Sequence, residues 1–109
     1  MTKWFQEDLR VQTAGREIRD ITPLITELTD RSGIVTGLSN IFIAHTSASL
    51  MVTENADPAV HHDLERFMRR TAPDGDTLYT HTDEGPDDMS AHVRSVLTEP
   101  SLSVPVVKG

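Results

Sequence analysis

Ile34-Val35-Thr36-Gly37-Leu38-Ser39-Asn40-Ile41-Phe42-Ile43-Ala44-His45 is the stretch on which the fold turns. Its apolar residues fall on both faces of an extended chain, the pattern of a central strand, with Gly37 at a bend or bulge. Leu50, Met51 and Val52 are expected to pair with it as a hairpin around Ser47-Ala48-Ser49. Upstream, Thr22-Pro23 reads as a helix start, with Thr22 as N-cap and Pro23 at the first helical position. Ile21, Leu24, Ile25 and Leu28 then form one stripe, and Gly33 is the expected stop. Residues 4–12 place Phe5, Leu9 and Val11 on one face and polar residues on the other, which predicts a strand with one wet face.

Downstream, Asp57-Pro58 repeats the cap-and-proline signal before Val60, Leu64, Phe67 and Met68, spaced for one helix face. Glu65 and Arg69, four apart, are placed to pair on its outer side. Pro73-Asp74-Gly75-Asp76 predicts a turn, and Thr77 to His81 a short strand leading into the acidic loop from Thr82 to Asp88. A last helix, capped by Asp87 or Asp88, carries Met89, Val93, Val96 and Leu97. Leu102, Val104 and Val106 alternate with polar residues and Pro105 in a final strand. Helices and strands mix irregularly, so the predicted class is α+β.

The 109 residues form one expected domain, 1–109. Absence of cysteine excludes a disulfide scaffold, a thiol nucleophile and cysteine-ligated zinc. Seventeen acids against ten bases give a net charge of -7, which repels a phosphate backbone, so no nucleic-acid partner is expected. No apolar run is long enough for a membrane span, and the first residues lack the apolar core of a signal peptide. A cytoplasmic setting is the expectation.

Three of the five histidines stand at ends or inner faces of predicted elements. His45 follows Ile41 and Ile43 on one strand face and is expected to be partly buried. His81 opens the acidic loop, and His92 lies three residues after Met89 and four before Val96. Three imidazoles without competing thiols suit an open zinc site, and Asp83, Glu84, Asp87 and Asp88 are placed to accept from the outer ring nitrogens. His61 and His62 read as solvated helix residues. The acidic loop lacks the ligand pattern of a calcium-binding EF-hand. Ser47 and Ser49 lack the G-x-S-x-G context of a hydrolase nucleophile, and hydroxyls in a tight turn suit an anion such as phosphate better.

His45-Thr46-Ser47-Ala48-Ser49-Leu50, Glu54-Asn55-Ala56-Asp57-Pro58, Asp63-Leu64-Glu65, Tyr79-Thr80-His81, Glu84-Gly85-Pro86-Asp87-Asp88-Met89 and Ala91-His92 resemble, in order and spacing, the YjbQ-like family, also called the secondary thiamine-phosphate synthase family. The resemblance implies a β-sandwich-like core with flanking helices, assembled as a homotrimer, with a polar pocket for a metal or an anion. It carries metal-ligand roles onto His45, His81 and His92, and catalytic roles onto Glu54 and Asn55. Asp57, Glu84, Asp87 and Asp88 also match family acids. Thr53 and Ser90 depart from the family's usual Asn and Pro. The family's closing strands lie beyond the position matching Gly109, so the chain is expected to be a truncated form of the domain.

The activity implied by the resemblance couples a pyrimidine diphosphate to a thiazole phosphate, releasing diphosphate. A divalent metal, zinc first and magnesium second, would neutralise the leaving group. Thr46, Ser47 and Ser49 would cradle its oxygens, with Ser47 counted among the catalytic residues. The alternative is a non-enzymatic trimeric module that binds phosphate or another small anion through cationic histidines. The partners implied are a small phosphorylated molecule or anion and further copies of the chain.

Overall fold

Proline, glycine and capping side chains mark where the elements of this chain begin and end, and the computed structural model describes residues 3–54 and 56–107. Helix α1 spans Thr22–Ser32, with Ile21 at its N-cap rather than Thr22, because Asp20 Oδ1 accepts the Thr22 N–H at 2.9 Å. Gly33 ends it at φ +70°, a left-handed conformation that costs glycine little, and its N–H bonds to Asp30 O at 3.2 Å. Strand β1 is Thr36–Phe42, α2 is Pro58–Thr71, α3 is Asp88–Leu97, and β2 is Ser101–Val107. The class is α+β: three helices and one two-stranded antiparallel sheet among the described residues.

The backbone groups into two units, one reaching Asn40 and taking in the chain from Ser103, the other running from Ile41 to Leu102. In the first, Asn40 Nδ2 donates to Ser103 Oγ at 3.1 Å, and Arg31 meets Glu7 at 3.3 Å. In the second, the Asp57 carboxylate caps α2 by accepting the Ala59 N–H at 2.9 Å, as the Asp-Pro signal predicts. Glu65 and Arg69 pair at 3.2 Å. The fully buried positions of this unit are small, Ala72 at the end of α2 and Ser90 in α3.

Several expectations are corrected. Residues 4–12 form no strand; they are mostly exposed and irregular, and a lone amphipathic segment without a paired neighbour gains no ladder of hydrogen bonds. β1 is not a strand buried on both faces: Ser39 and Ile41 turn inward while Leu38 and Phe42 stand 69% and 66% exposed. Leu50 makes a single antiparallel bridge with Glu99, not a hairpin with β1. Thr77 to His81 forms no strand: Thr77 and Leu78 lie in a turn, where Asp76 Oδ1 captures the Leu78 N–H at 2.9 Å and Asp76 O the Tyr79 N–H at 3.1 Å, and the chain from Tyr79 to His81 is irregular. On α2, Phe67 is half exposed and His61 takes a half-buried place in the stripe with Val60, Leu64 and Met68. On α3, Ser90 is buried and Val96 is exposed, the reverse of their apolar ranking.

Candidate metal centre

Residues four apart on a helix lie on one face, one turn above the other. α3 uses this spacing to bring Asp88, in its first turn, to His92. An anionic side chain there is also favoured by the helix dipole. His92 Nε2 lies 3.0 Å from Asp88 Oδ2, and His81 Nε2, from the loop before α3, lies 2.8 Å from the same oxygen. The imidazoles meet edge to face, with ring centres 5.6 Å apart. One donor atom from each of His81, Asp88 and His92 falls within 4.8 Å of the others, the one such group among the described residues. Glu84 Oε2 stands further out, 3.9 Å from His81 Nε2.

The far side of His92 is fixed as well. Its Nδ1 lies 2.9 Å from the Thr46 carbonyl oxygen. A carbonyl only accepts, so Nδ1 carries a proton, and in the neutral ring Nε2 holds the free lone pair. That lone pair points at a carboxylate oxygen, a repulsive arrangement unless a proton or a cation lies between them. Backbone carbonyls commonly orient metal-binding histidines in this way. Asp88 is held below its usual carboxyl pKa of 3.8, first by the hydrogen bond from His81; partial burial pushes the other way, and Glu84 and His92 lower it further.

The segments around the centre are tied together. Ser90 Oγ donates to Asp74 Oδ1 and lies 3.0 Å from Asp87 O. Gly75, at φ +69°, donates its N–H to Pro86 O at 2.7 Å. On the other side Ser95 Oγ donates to Ala48 O at 3.3 Å, holding the 46–49 loop to α3.

Of the histidines singled out in the sequence, His81 and His92 come together. His45 lies outside the group and is exposed: β1 has ended, and His45 Nδ1 turns back to accept the Ser47 N–H at 2.9 Å. Ser47 Oγ contacts the same nitrogen at 3.0 Å, and Ser49 Oγ pairs with Thr98 Oγ1. Thr46 contributes its carbonyl to His92. Glu54 is exposed, and Asn55 lies outside the described residues. Asp57 caps α2 and Asp87 stands at the N-cap of α3 without a side-chain cap bond. Asp88, read in the sequence as a cap or an outer acceptor, lies between the two rings; the signal available was its four-residue spacing to His92.

Comparison with known proteins identifies the family to which the chain belongs. A family model described as UPF0047 protein YjbQ-like matches residues 7–109. UPF0047 protein sll1880 of Synechocystis is 43% identical over 104 residues, covering 95% of this chain and 71% of the relative. UPF0047 protein YjbQ of Escherichia coli O157:H7 is 41% identical over 107 residues, covering 97% and 77%. Among solved structures, the conserved hypothetical protein TT1486 from Thermus thermophilus superposes with a TM-score of 0.79 at 32% identity, over 92% of this chain and 75% of that one. No helix among the described residues is long and apolar enough to cross a membrane. With a family match over nearly its whole length and relatives above 40% identity, the chain belongs to the YjbQ-like UPF0047 family.

Proposed function

We propose that His81, Asp88 and His92 form a mononuclear site for a divalent metal, with zinc as the preferred ion. The observation that carries this reading is the pair of imidazole Nε2 atoms converging on one oxygen of Asp88, with His92 held in the matching tautomer by Thr46. Two imidazoles and a carboxylate suit zinc and its transition-metal neighbours better than magnesium, which favours oxygen ligands and retained water. Three protein ligands are also the usual number for a zinc site that keeps a position open for chemistry.

Within this reading, the coupling reaction of the secondary thiamine-phosphate synthases is one candidate chemistry. The ion would supply the positive charge that an anionic diphosphate needs as it leaves. The chain's own residues offer little of it: the stretch from Thr71 to Val93, which builds the centre, contains neither lysine nor arginine. The same lack weighs against the alternative of a metal-free phosphate-binding module. Assembly as a homotrimer belongs to the proposal too, supported by large apolar side chains left open to water, among them Phe42, Val52 and Val96.

Calorimetric titration of chelator-treated protein with zinc tests the site. One ion per chain is expected, with His81→Ala/His92→Ala weakened by about 100-fold or more, since loss of an outer partner alone costs roughly 10–100-fold. Equal binding by the wild type and the double variant would remove the proposal.

A further inference from the structure

The loop from His45 to Ser49 fixes two histidines in opposite tautomers. The Thr46 carbonyl sets the proton of His92 on Nδ1 and leaves Nε2 bare for the centre. His45 is held the other way round. Its Nδ1 lies 2.9 Å from the Ser47 backbone nitrogen and 3.0 Å from Ser47 Oγ. A backbone N–H only donates, so Nδ1 accepts, and in the neutral ring the proton sits on Nε2. For Nε2 to bind a metal, that proton would have to move to Nδ1, where it would face the Ser47 N–H. His45 is therefore arranged as a hydrogen-bond donor and not as a metal ligand.

The serines of this loop are already engaged. Ser47 directs its N–H and its hydroxyl to His45, and Ser49 Oγ pairs with Thr98 Oγ1. The side-chain donors of the loop left without a partner among the described residues are His45 Nε2–H and the Thr46 hydroxyl, both on exposed residues. Their backbone is anchored beside the centre. Thr46 O faces His92 Nδ1 at 2.9 Å, and Ala48 O accepts from Ser95 Oγ of α3 at 3.3 Å. Neutral N–H and O–H donors cannot replace the cationic charge missing from residues 71–93, but they can orient an anionic oxygen that a metal ion has drawn in.

We propose that His45 Nε2–H, with the Thr46 hydroxyl beside it, donates to a phosphoryl oxygen of a small molecule whose other oxygen takes the open position of the metal centre. This rests on the metal reading and deepens it, moving His45 from the metal's ligands to the donors that hold what the metal binds.

His45→Asn isolates the donor. The shorter side chain still offers an oxygen to the Ser47 N–H, as in an Asx-turn, while nothing reaches the place of Nε2. Zinc is titrated into chelator-treated wild type and variant by calorimetry, and methyl phosphate is then titrated into the zinc-loaded and the metal-free forms of each. Zinc affinity is expected to be the same in both proteins. Methyl phosphate should bind the zinc-loaded variant about tenfold more weakly than the wild type, the scale of a single modest polar contact. Nitrogen-15 spectra should show His45 protonated on Nε2 and bare on Nδ1, with and without zinc. Lost zinc binding in His45→Asn would make His45 a ligand and overturn the proposal. Equal methyl phosphate affinity in the two zinc-loaded proteins, equal affinity with and without zinc, or a neutral His45 protonated on Nδ1 would overturn it as well. A wild type that takes up no zinc would remove the metal reading and this proposal together, whereas zinc uptake with unchanged methyl phosphate affinity would remove this proposal alone.

Discussion

His92 Nε2 stands 3.0 Å from Asp88 Oδ2 one helical turn away, while its Nδ1 faces the Thr46 carbonyl at 2.9 Å. Each ring nitrogen therefore has an oxygen before it, and the two oxygens ask different things. The carbonyl requires a proton on Nδ1 in every state, whereas the carboxylate is satisfied by a proton on Nε2 or by a cation shared with it. A metal bound there would occupy the place between Nε2 and the carboxylate that a proton otherwise fills. Nitrogen-15 spectra of the imidazoles should show Nδ1 of His92 protonated with and without zinc, and Nε2 changing on zinc addition. A neutral His92 with its proton on Nε2 and none on Nδ1 would contradict this arrangement.

Acid should undo the same contact in a defined order. The Asp88 carboxyl lies below its usual 3.8 chiefly because His81 donates to it. A carboxyl depressed in the folded state contributes stability that is complete above its unfolded pKa and disappears as pH falls through the folded one. Denaturant midpoints of the metal-free wild type should exceed those of Asp88→Asn at pH well above 3.8. The two should converge when the pH falls below the folded value. A gap that widens with acid would reverse the sign assigned here.

Much of this architecture was open to reading in the chain. Thr22-Pro23 and Asp57-Pro58 announced two helices because proline lacks the N–H that a helix start leaves unpaired, and Gly33 closed the first through its positive φ. The pairing of β1 with β2 was less accessible, since residues 40 and 103 meet only through the fold. The turn at Thr77 and Leu78 was hidden by a competition that alternation does not encode, the Asp76 carboxylate taking the Leu78 N–H. At the site, His81 and His92 stood out as rare ionisable rings at element ends. Asp88 did not, because one acid among several looks like a helix cap until its spacing to His92 is weighed. The Thr46 carbonyl has no side-chain signature at all.

Self-association gives the exposed apolar surface a measurable consequence. Phe42, Val52 and Val96 are 66%, 76% and 84% exposed, and surface of this kind is favourable to cover at roughly 25 cal/mol per Å². Light scattering on the purified chain should give three times its 12.1 kDa mass. A monomer at the same concentration would remove the trimer from the proposed function.

Ser90 links the folding of this unit to its chemistry. It is fully buried, lies two residues from both Asp88 and His92, and donates through Oγ to the Asp74 carboxylate. It thus joins the helix carrying two members of the centre to the turn that precedes the third. Ser90→Ala removes a hydrogen bond to a charged acceptor, but Asp74 is exposed and water can replace part of it. The loss should be about 1–2 kcal/mol of unfolding free energy. Zinc affinity should fall as well, by roughly tenfold, the lower part of the range for groups that orient ligands. Ser90→Thr keeps the hydroxyl and should recover affinity more fully than stability, because the added methyl group must fit a closely packed site. Zinc titration of both variants alongside their denaturant curves separates these effects: unchanged affinity in a destabilised Ser90→Ala would confine Ser90 to packing.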